Sequence, residues 1–247
     1  MIRVLIFNEF LHENRMENVK EIYPDGMHAV LAEMLNGEED ISAECVTLFN
    51  AEGQQNDLDA LITEEKLRET DVLLWWGHCA HQLVPDSVVN RVQRAVLGGM
   101  GAIFLHSAHH SKPFRALMGT TCNLSWREDG DLCRLWVVDP SHPVTRGLGK
   151  YFEIPHDEMY GEPFGIPEPD KLLLLTWFEG GEVFRSCCAW RRGAGKVIYF
   201  QPGHETYPVY YLPEVRTVIK NAVRWTAPEG YRDFVLDCPN VRKPGAE

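Results

Sequence analysis

The sequence predicts an α/β protein, a three-layer α/β/α arrangement around a mostly parallel, doubly wound sheet. Three observations carry this. Short apolar runs alternate with amphipathic stretches, so the hydrophobic period switches repeatedly between strand and helix. The runs are short and punctuated by Gly, Pro and polar clusters. Several of them also end on histidine, as in IRVLIFNEFLHE, VLLWWGHCAH, AIFLHSAHH and KVIYFQPGHE. Ligands of open parallel sheets gather at the carboxyl ends of strands, so these imidazoles are expected to meet in space.

The elements follow in order. Residues 2–7 form the first strand, and a loop, FLHENRMENVKEIYPDG, passes Pro24 and Gly26 into the helix MHAVLAEMLN, striped by Val30, Leu31 and Met34. ISAECVTL alternates as a strand. TEEKLRET is a short polar helix with Thr63 as its N-cap, and DVLLWW is a buried strand. SVVNRVQRAVLGG is an amphipathic helix closed by glycines, which feeds the strand AIFLH. The glycines of GGMGA precede a strand, so they end a helix and do not cradle a phosphate.

The second half is less regular. CRLWVVDPSHPVTRGL reads as a strand and a Pro-rich turn, and DKLLLLTWF and FRSCCAWRRGAGKVIYFQPG as strands joined by turns, the latter with a Gly-containing hairpin signal. PEVRTVIKNAVRWT closes the fold as a helix with Val215, Val218, Ile219 and Ala222 or Val223 on one stripe. Residues 1–228 are expected to form one domain, and 229–247, which lack periodicity, a C-terminal tail.

Charge and composition exclude several function classes. Lys and Arg number 24 against 36 Asp and Glu, a net charge of -12. The phosphate attraction that dominates nucleic-acid binding would be repulsive here, as would an acidic membrane face, so a small neutral substrate is expected instead. No secretory signal or spanning segment is read, which predicts a soluble, cytoplasmic protein. Seven cysteines without a dense framework predict reduced thiols, and the adjacent Cys187 and Cys188 would face opposite sides of a strand. Neither GxxxxGK[ST] nor GxGxxG is present, so no nucleotide cofactor is expected.

GAIFLHSAHHSKPF has the form of a nucleophile elbow, a sharp strand-to-helix turn with small flanking residues and a side chain at its tip that projects into a pocket. His106 holds that tip, followed by Ser107, Ala108 and His109. The run resembles the class I glutamine amidotransferase-like fold, of flavodoxin-like topology, whose elbow carries Cys; the thiol nucleophile is absent here. NEFLHE, IYPDGMH, WWGHCAH, LHSAHHSKPF, HPVTRGL, IPHDEMYGEPF and PGHETYPVYY together resemble the ThuA family of trehalose-utilisation proteins, over nearly the whole chain to about Pro228. The resemblance implies trehalose or disaccharide catabolism, beside oxidoreductases that make keto-sugars.

The candidate catalytic residues are His106, His204, Glu205 and Glu158. His12, His81, His109, Tyr160 and Tyr207 are candidates for binding the sugar. His78 and His81 have a spacing that can serve one metal, or one metal ligand and one substrate donor. The adjacency of His204 and Glu205 departs from the amidotransferase His-x-Glu relay, so Glu205 either orients His204 or reaches substrate. IPHDEMYGE reads as a solvated charged loop, with Glu158 and Tyr160 drawn into the site only by the resemblance. His28 reads as a helix-start residue and His142 as part of a turn. A His and carboxylate set suits a borderline divalent metal such as Zn, with His78, His106 and His204 as its ligands. Trp75, Trp76, Trp126, Trp177, Tyr207, Tyr210 and Tyr211 are candidate stacking faces, most of them destined for the core.

The reading is a metal-assisted enzyme that isomerises, hydrates or eliminates a sugar or keto-sugar. One alternative is a non-catalytic sugar-binding or partner module. A second is a hydrolase using Ser107 or Cys79. A homo-oligomer is expected on general grounds.

Overall fold

The computed structural model describes residues 1–230, so most of the expected tail lies outside the described residues. Nine strands form one sheet: β1 (Ile2–Asn8), β2 (Ile41–Thr47), β3 (Val72–Trp76), β4 (Gly101–Leu105), β5 (Ser125–Val137), β6 (Tyr151–Gly161), β7 (Lys171–Phe178), β8 (Val183–Arg192) and β9 (Gly195–Phe200). Their spatial order is β2-β1-β3-β4-β9-β8-β7-β5-β6. The first five in that order run parallel, in the flavodoxin-like order with β9 as the fifth strand. The other four continue it as an antiparallel extension.

The parallel strands β3, β4 and β9 are buried at every position, as strands covered on both faces must be. The helices are α1 (His12–Arg15), α2 (Glu17–Ile22), α3 (Met27–Asn36), α4 (Leu58–Leu61), α5 (Glu64–Glu69), α6 (Asp86–Leu97), α7 (Lys112–Met118) and α8 (Pro213–Thr226). The long ones bury the stripes their sequences carry: Val88, Val89, Val92, Ala95 and Val96 on α6, and Val215, Val218, Ile219, Ala222 and Val223 on α8. Each buried valine or isoleucine contributes roughly 1.5–3 kcal/mol of transfer free energy. Where α8 crosses β4, only a glycine fits: a Cβ on Gly101 would stand 2.5 Å from the Thr226 carbonyl oxygen. The Thr63 hydroxyl caps α5 by accepting from the Lys66 amide at 3.1 Å, and Gly98 ends α6.

Three segments differ from the sequence reading. The loop after β1 contains α1 and α2, too short and polar to show a helical period. α4 is likewise a single turn, capped by the Asp57 side chain. The largest difference is IPHDEMYGE, which is strand and not solvated loop: β6 pairs with a β5 that reaches back to Ser125, through Trp126 with Tyr160 and Arg127 with Met159. Its charges misled because Asp157 and Glu158 are carried into the interior. β6 also curls over β8, which brings its carboxyl end to the site edge of the parallel strands. Among the described residues, no helix is long and apolar enough to cross a membrane.

Candidate functional site

β1, β3, β4 and β9 are consecutive neighbours in the sheet, so the residues that follow them meet at one edge. The ring centroids of His78 and His106 are 6.4 Å apart, those of His78 and His204 5.7 Å, and those of His106 and His204 5.3 Å. His12 joins them 4.9 Å from His78. The convergence expected from strand ends is therefore present, and β6 adds Asp157, Glu158 and Tyr160 from the opposite half of the sheet.

His106 sits at the elbow with a φ of 51°, a left-handed conformation uncommon outside glycine. Its ring does not project into open space as an elbow tip was expected to. It is fully buried, stacked on Tyr160 with centroids 4.9 Å apart. Its Nδ1–H donates to the Gln201 carbonyl oxygen at 2.8 Å, which leaves Nε2 facing Glu158 Oε2 at 3.0 Å. Burial opposes charging this imidazole, but Glu158, then Asp157 and Glu205, outweigh it and push its pKa up to about 9. His106 is thus the floor of the site. Above it lies a cavity of about 470 Å³, whose walls include His78, His81, Ser107, His109, Glu158 and Tyr160.

Glu205 turns away from its neighbour in sequence. Its Oε1 lies 3.0 Å from His78 Nδ1 and 3.5 Å from His12 Nε2. Burial works against its charge, yet His78, His204 and His12 hold the carboxyl well below the usual range. The residue that orients His204 is Thr206, whose hydroxyl lies 2.7 Å from His204 Nδ1. His204 Nε2 is 3.7 Å from Glu205 Oε2 and 3.9 Å from Glu158 Oε2, with no hydrogen-bond partner. Burial, then the charge on His106, pushes this imidazole down to about 4, so it is neutral near pH 7. The reading of Glu205 as the orienter of His204 is corrected accordingly.

Two buried carboxylates missed in the sequence position these groups. Glu9 accepts from the backbone amides of His78, Cys79 and Ala80 at 2.8, 3.1 and 3.0 Å, fixing the turn after β3. Asp157 accepts from the amides of Glu158, Gly203 and His204 at 3.0, 3.3 and 3.1 Å, tying β6 to the turn after β9. The position of Glu9, directly after an apolar strand, is the one signal that marks it. Glu128, also unremarked in the sequence, lines the cavity with Trp126, two positions before it on β5.

The other expected residues divide. His81 and His109 line the cavity, each pushed down to about 4, chiefly by burial. His109 is oriented by donating from Nδ1 to the Cys122 carbonyl oxygen at 2.7 Å. Tyr207 stands outside the cavity wall, its ring 5.8 Å from His204. Of the candidate stacking faces only Trp126 borders the cavity, whereas Trp75, Trp76 and Tyr210 are core. His28 lies in the first turn of α3, and His142 Nδ1 accepts from the Val144 amide in a turn, both as expected.

Neither hydrolase nucleophile is activated. The Ser107 hydroxyl donates to the Gly77 carbonyl oxygen at 2.9 Å. The Cys79 thiol, on an exposed residue, donates to Glu9 Oε1 at 3.3 Å and lies 3.8 Å from His12 Nε2; partial burial of the sulfur and then the Glu9 charge push it up to about 12.

Among the described residues, three groups of three can hold a cation: His106 with Glu158 and His204, His12 with His78 and Glu205, and Glu9 with His12 and Cys79, the ligand atoms of each lying within 4.8 Å of one another. The trio expected from the sequence is divided between the first two, with His78 held by Glu205 beside His12. Buried polar atoms without partners are costly, and His204 Nε2 and Glu205 Oε2 are of this kind, while Glu158 Oε2 faces His106 Nε2, a contact that a cation between them would replace. Imidazole and carboxylate donors suit borderline divalent ions, and the Nδ1–H of His106 on a backbone carbonyl is the outer support that metal-binding imidazoles use. The residues fit a metal.

The protein-family model that describes ThuA, trehalose utilisation, matches residues 3–226. Among solved structures, a protein described as ThuA-like from Parabacteroides merdae ATCC 43184 superposes with a TM-score of 0.69 at 14% identity, covering 94% of this chain and 92% of that one. A protein described as ThuA-like from Bacteroides uniformis ATCC 8492 gives 0.62 at 17% identity, covering 95% of each chain. A protein of Salmonella typhimurium LT2 described as cytoplasmic gives 0.60 at 12%, covering 92% of this chain and all, 100%, of that one. No curated protein matches.

Proposed function

The chain belongs to the ThuA family, and on that premise we propose that it is a metal-assisted enzyme of trehalose or disaccharide utilisation, acting on a sugar or keto-sugar by isomerisation, hydration or elimination. The observation that carries the proposal is the buried, unpartnered His204 Nε2 facing Glu158 Oε2, which His106 Nε2 also faces, under a cavity of mixed polarity. His106, Glu158 and His204 would hold the cation, with His78 beside them. A bound divalent ion supplies Lewis-acid polarisation of a carbonyl or hydroxyl oxygen.

The chain's own groups supply the rest. His81 and His109, neutral near pH 7, offer hydrogen bonds to hydroxyls without attracting anions. Trp126 gives a sugar ring an apolar face at the cavity wall. His78, held through Nδ1 by Glu205, lines the cavity and can offer a substrate hydroxyl a hydrogen bond there. In the same reading the protein works in the cytoplasm as a homo-oligomer, downstream of an oxidoreductase that makes the keto-sugar.

The test is metal analysis of untagged protein, with NMR observation of a keto-disaccharide before and after chelation and add-back. Near-stoichiometric metal and turnover that returns with the ion are expected, and His106→Ala should abolish both in a folded protein. A chelated protein that retains full turnover would refute the metal's role. Saccharide binding with no turnover under any metal would favour the binding-module reading.

A further inference from the structure

We propose that the site holds two divalent cations, bridged by the Glu205 carboxylate; the proposal rests on the metal-assisted reading above. The His106, Glu158, His204 group and the His12, His78, Glu205 group are contiguous, and Glu205 stands between them. Its Oε1 belongs to the outer group, 3.0 Å from His78 Nδ1 and 3.5 Å from His12 Nε2. Its Oε2 is turned to the inner group, 3.7 Å from His204 Nε2, and has no hydrogen-bond partner. Glu205 is 2% exposed, Glu158 3% and His204 1%, so solvent does not satisfy these atoms. Paired-ion centres separate their cations by about 3.5–4 Å, a span that one carboxylate bridges.

Charge balance points the same way. Glu9, Asp157, Glu158 and Glu205 are all buried at this edge. Among the described residues, the ion pairs of Glu158 and Glu205 are made only with histidines. Glu9 and Asp157 are each satisfied by three backbone amides, which leaves Glu158 and Glu205, one in each group, as the buried carboxylates that face the two cations. The layout also gives the two ions distinct settings. His106 and His204 hold the inner one beneath the floor, while the His78 side chain, 29% exposed, brings the outer one to the cavity.

The experiment is Mn²⁺ titration of untagged, chelator-stripped protein, read by bound metal per chain and by electron paramagnetic resonance. Two equivalents and an exchange-coupled signal are expected. Glu205→Gln should lose the coupling and bind one equivalent fewer. If that variant does not fold, His78→Ala decides: one uncoupled ion supports the proposal, and two coupled ions overturn it. A single uncoupled ion in the wild type overturns the bridged pair while leaving the metal-assisted reading intact. No bound metal at all removes both.

Discussion

Asp157→Ala should be among the most damaging single changes at the site, although Asp157 does not line the cavity. Its carboxylate is fully buried and accepts from the amides of Glu158, Gly203 and His204, with the Gln201 side-chain amide at 3.4 Å as a fourth donor. Removing it orphans as many as three backbone N–H groups where water does not reach. At roughly 1–3 kcal/mol for each buried unsatisfied donor, and allowing for relaxation, the expected cost is about 3–6 kcal/mol. For a chain of this size that lowers Tm by roughly 6–24 °C. Asp157→Asn separates hydrogen bonding from volume. Its remaining oxygen can serve Glu158 and His204, while its amide opposes Gly203 N–H, so about 1–3 kcal/mol is expected. Calorimetric melts of both variants, with bound metal measured on the same samples, check the argument. An alanine variant within about 0.5 kcal/mol of wild type would show that the turn after β9 does not depend on this carboxylate.

What was legible in the sequence is what periodicity and strand ends encode. Apolar runs such as VLLWW and AIFLH gave the parallel strands, and the rule that ligands gather at strand ends brought His78, His106 and His204 together from segments far apart in the chain. The charged strand β6 was not legible. A segment reading IPHDEMYGE is polar by composition, and only its pairing with β5 and its curl over β8 carry Asp157 and Glu158 inward. The division of the histidines was hidden for a related reason. Adjacency of His204 and Glu205 suggests a pair, but the turn after β9 sends one side chain to Thr206 and the other to His78. Such choices depend on backbone direction in a turn, which residue identity does not record. Glu9 was hidden because one acidic residue after a strand looks the same whether it faces solvent or accepts from three amides.

Three further outcomes are expected. Gly203→Ala should destabilise by more than the roughly 1–3 kcal/mol of a strained backbone, because φ there is 134° and a Cβ would stand 2.1 Å from the Tyr210 hydroxyl; a melt equal to wild type would contradict the turn geometry. Cys79, although exposed, should react slowly with iodoacetamide at neutral pH, since partial burial of its sulfur and the Glu9 carboxylate 3.3 Å away disfavour the thiolate; rapid alkylation mapped to Cys79 would restore the thiol-nucleophile reading. The last outcome concerns acid stability and is read at His28, which lies in α3 away from the ligand groups. Its Nδ1 is 3.0 Å from the Asn8 side-chain amide nitrogen, and burial pushes the imidazole down from 6.5 to about 4. Its folded pKa is therefore below its unfolded one, and as pH falls the unfolded chain takes the proton first. The stabilisation is whole above about pH 6.5 and is lost progressively toward pH 4, by up to about 3 kcal/mol. Denaturant melts of wild type and His28→Gln between those limits should differ in slope, the variant being flatter. Parallel slopes would mean that His28 is as readily protonated in the folded protein as in the unfolded chain.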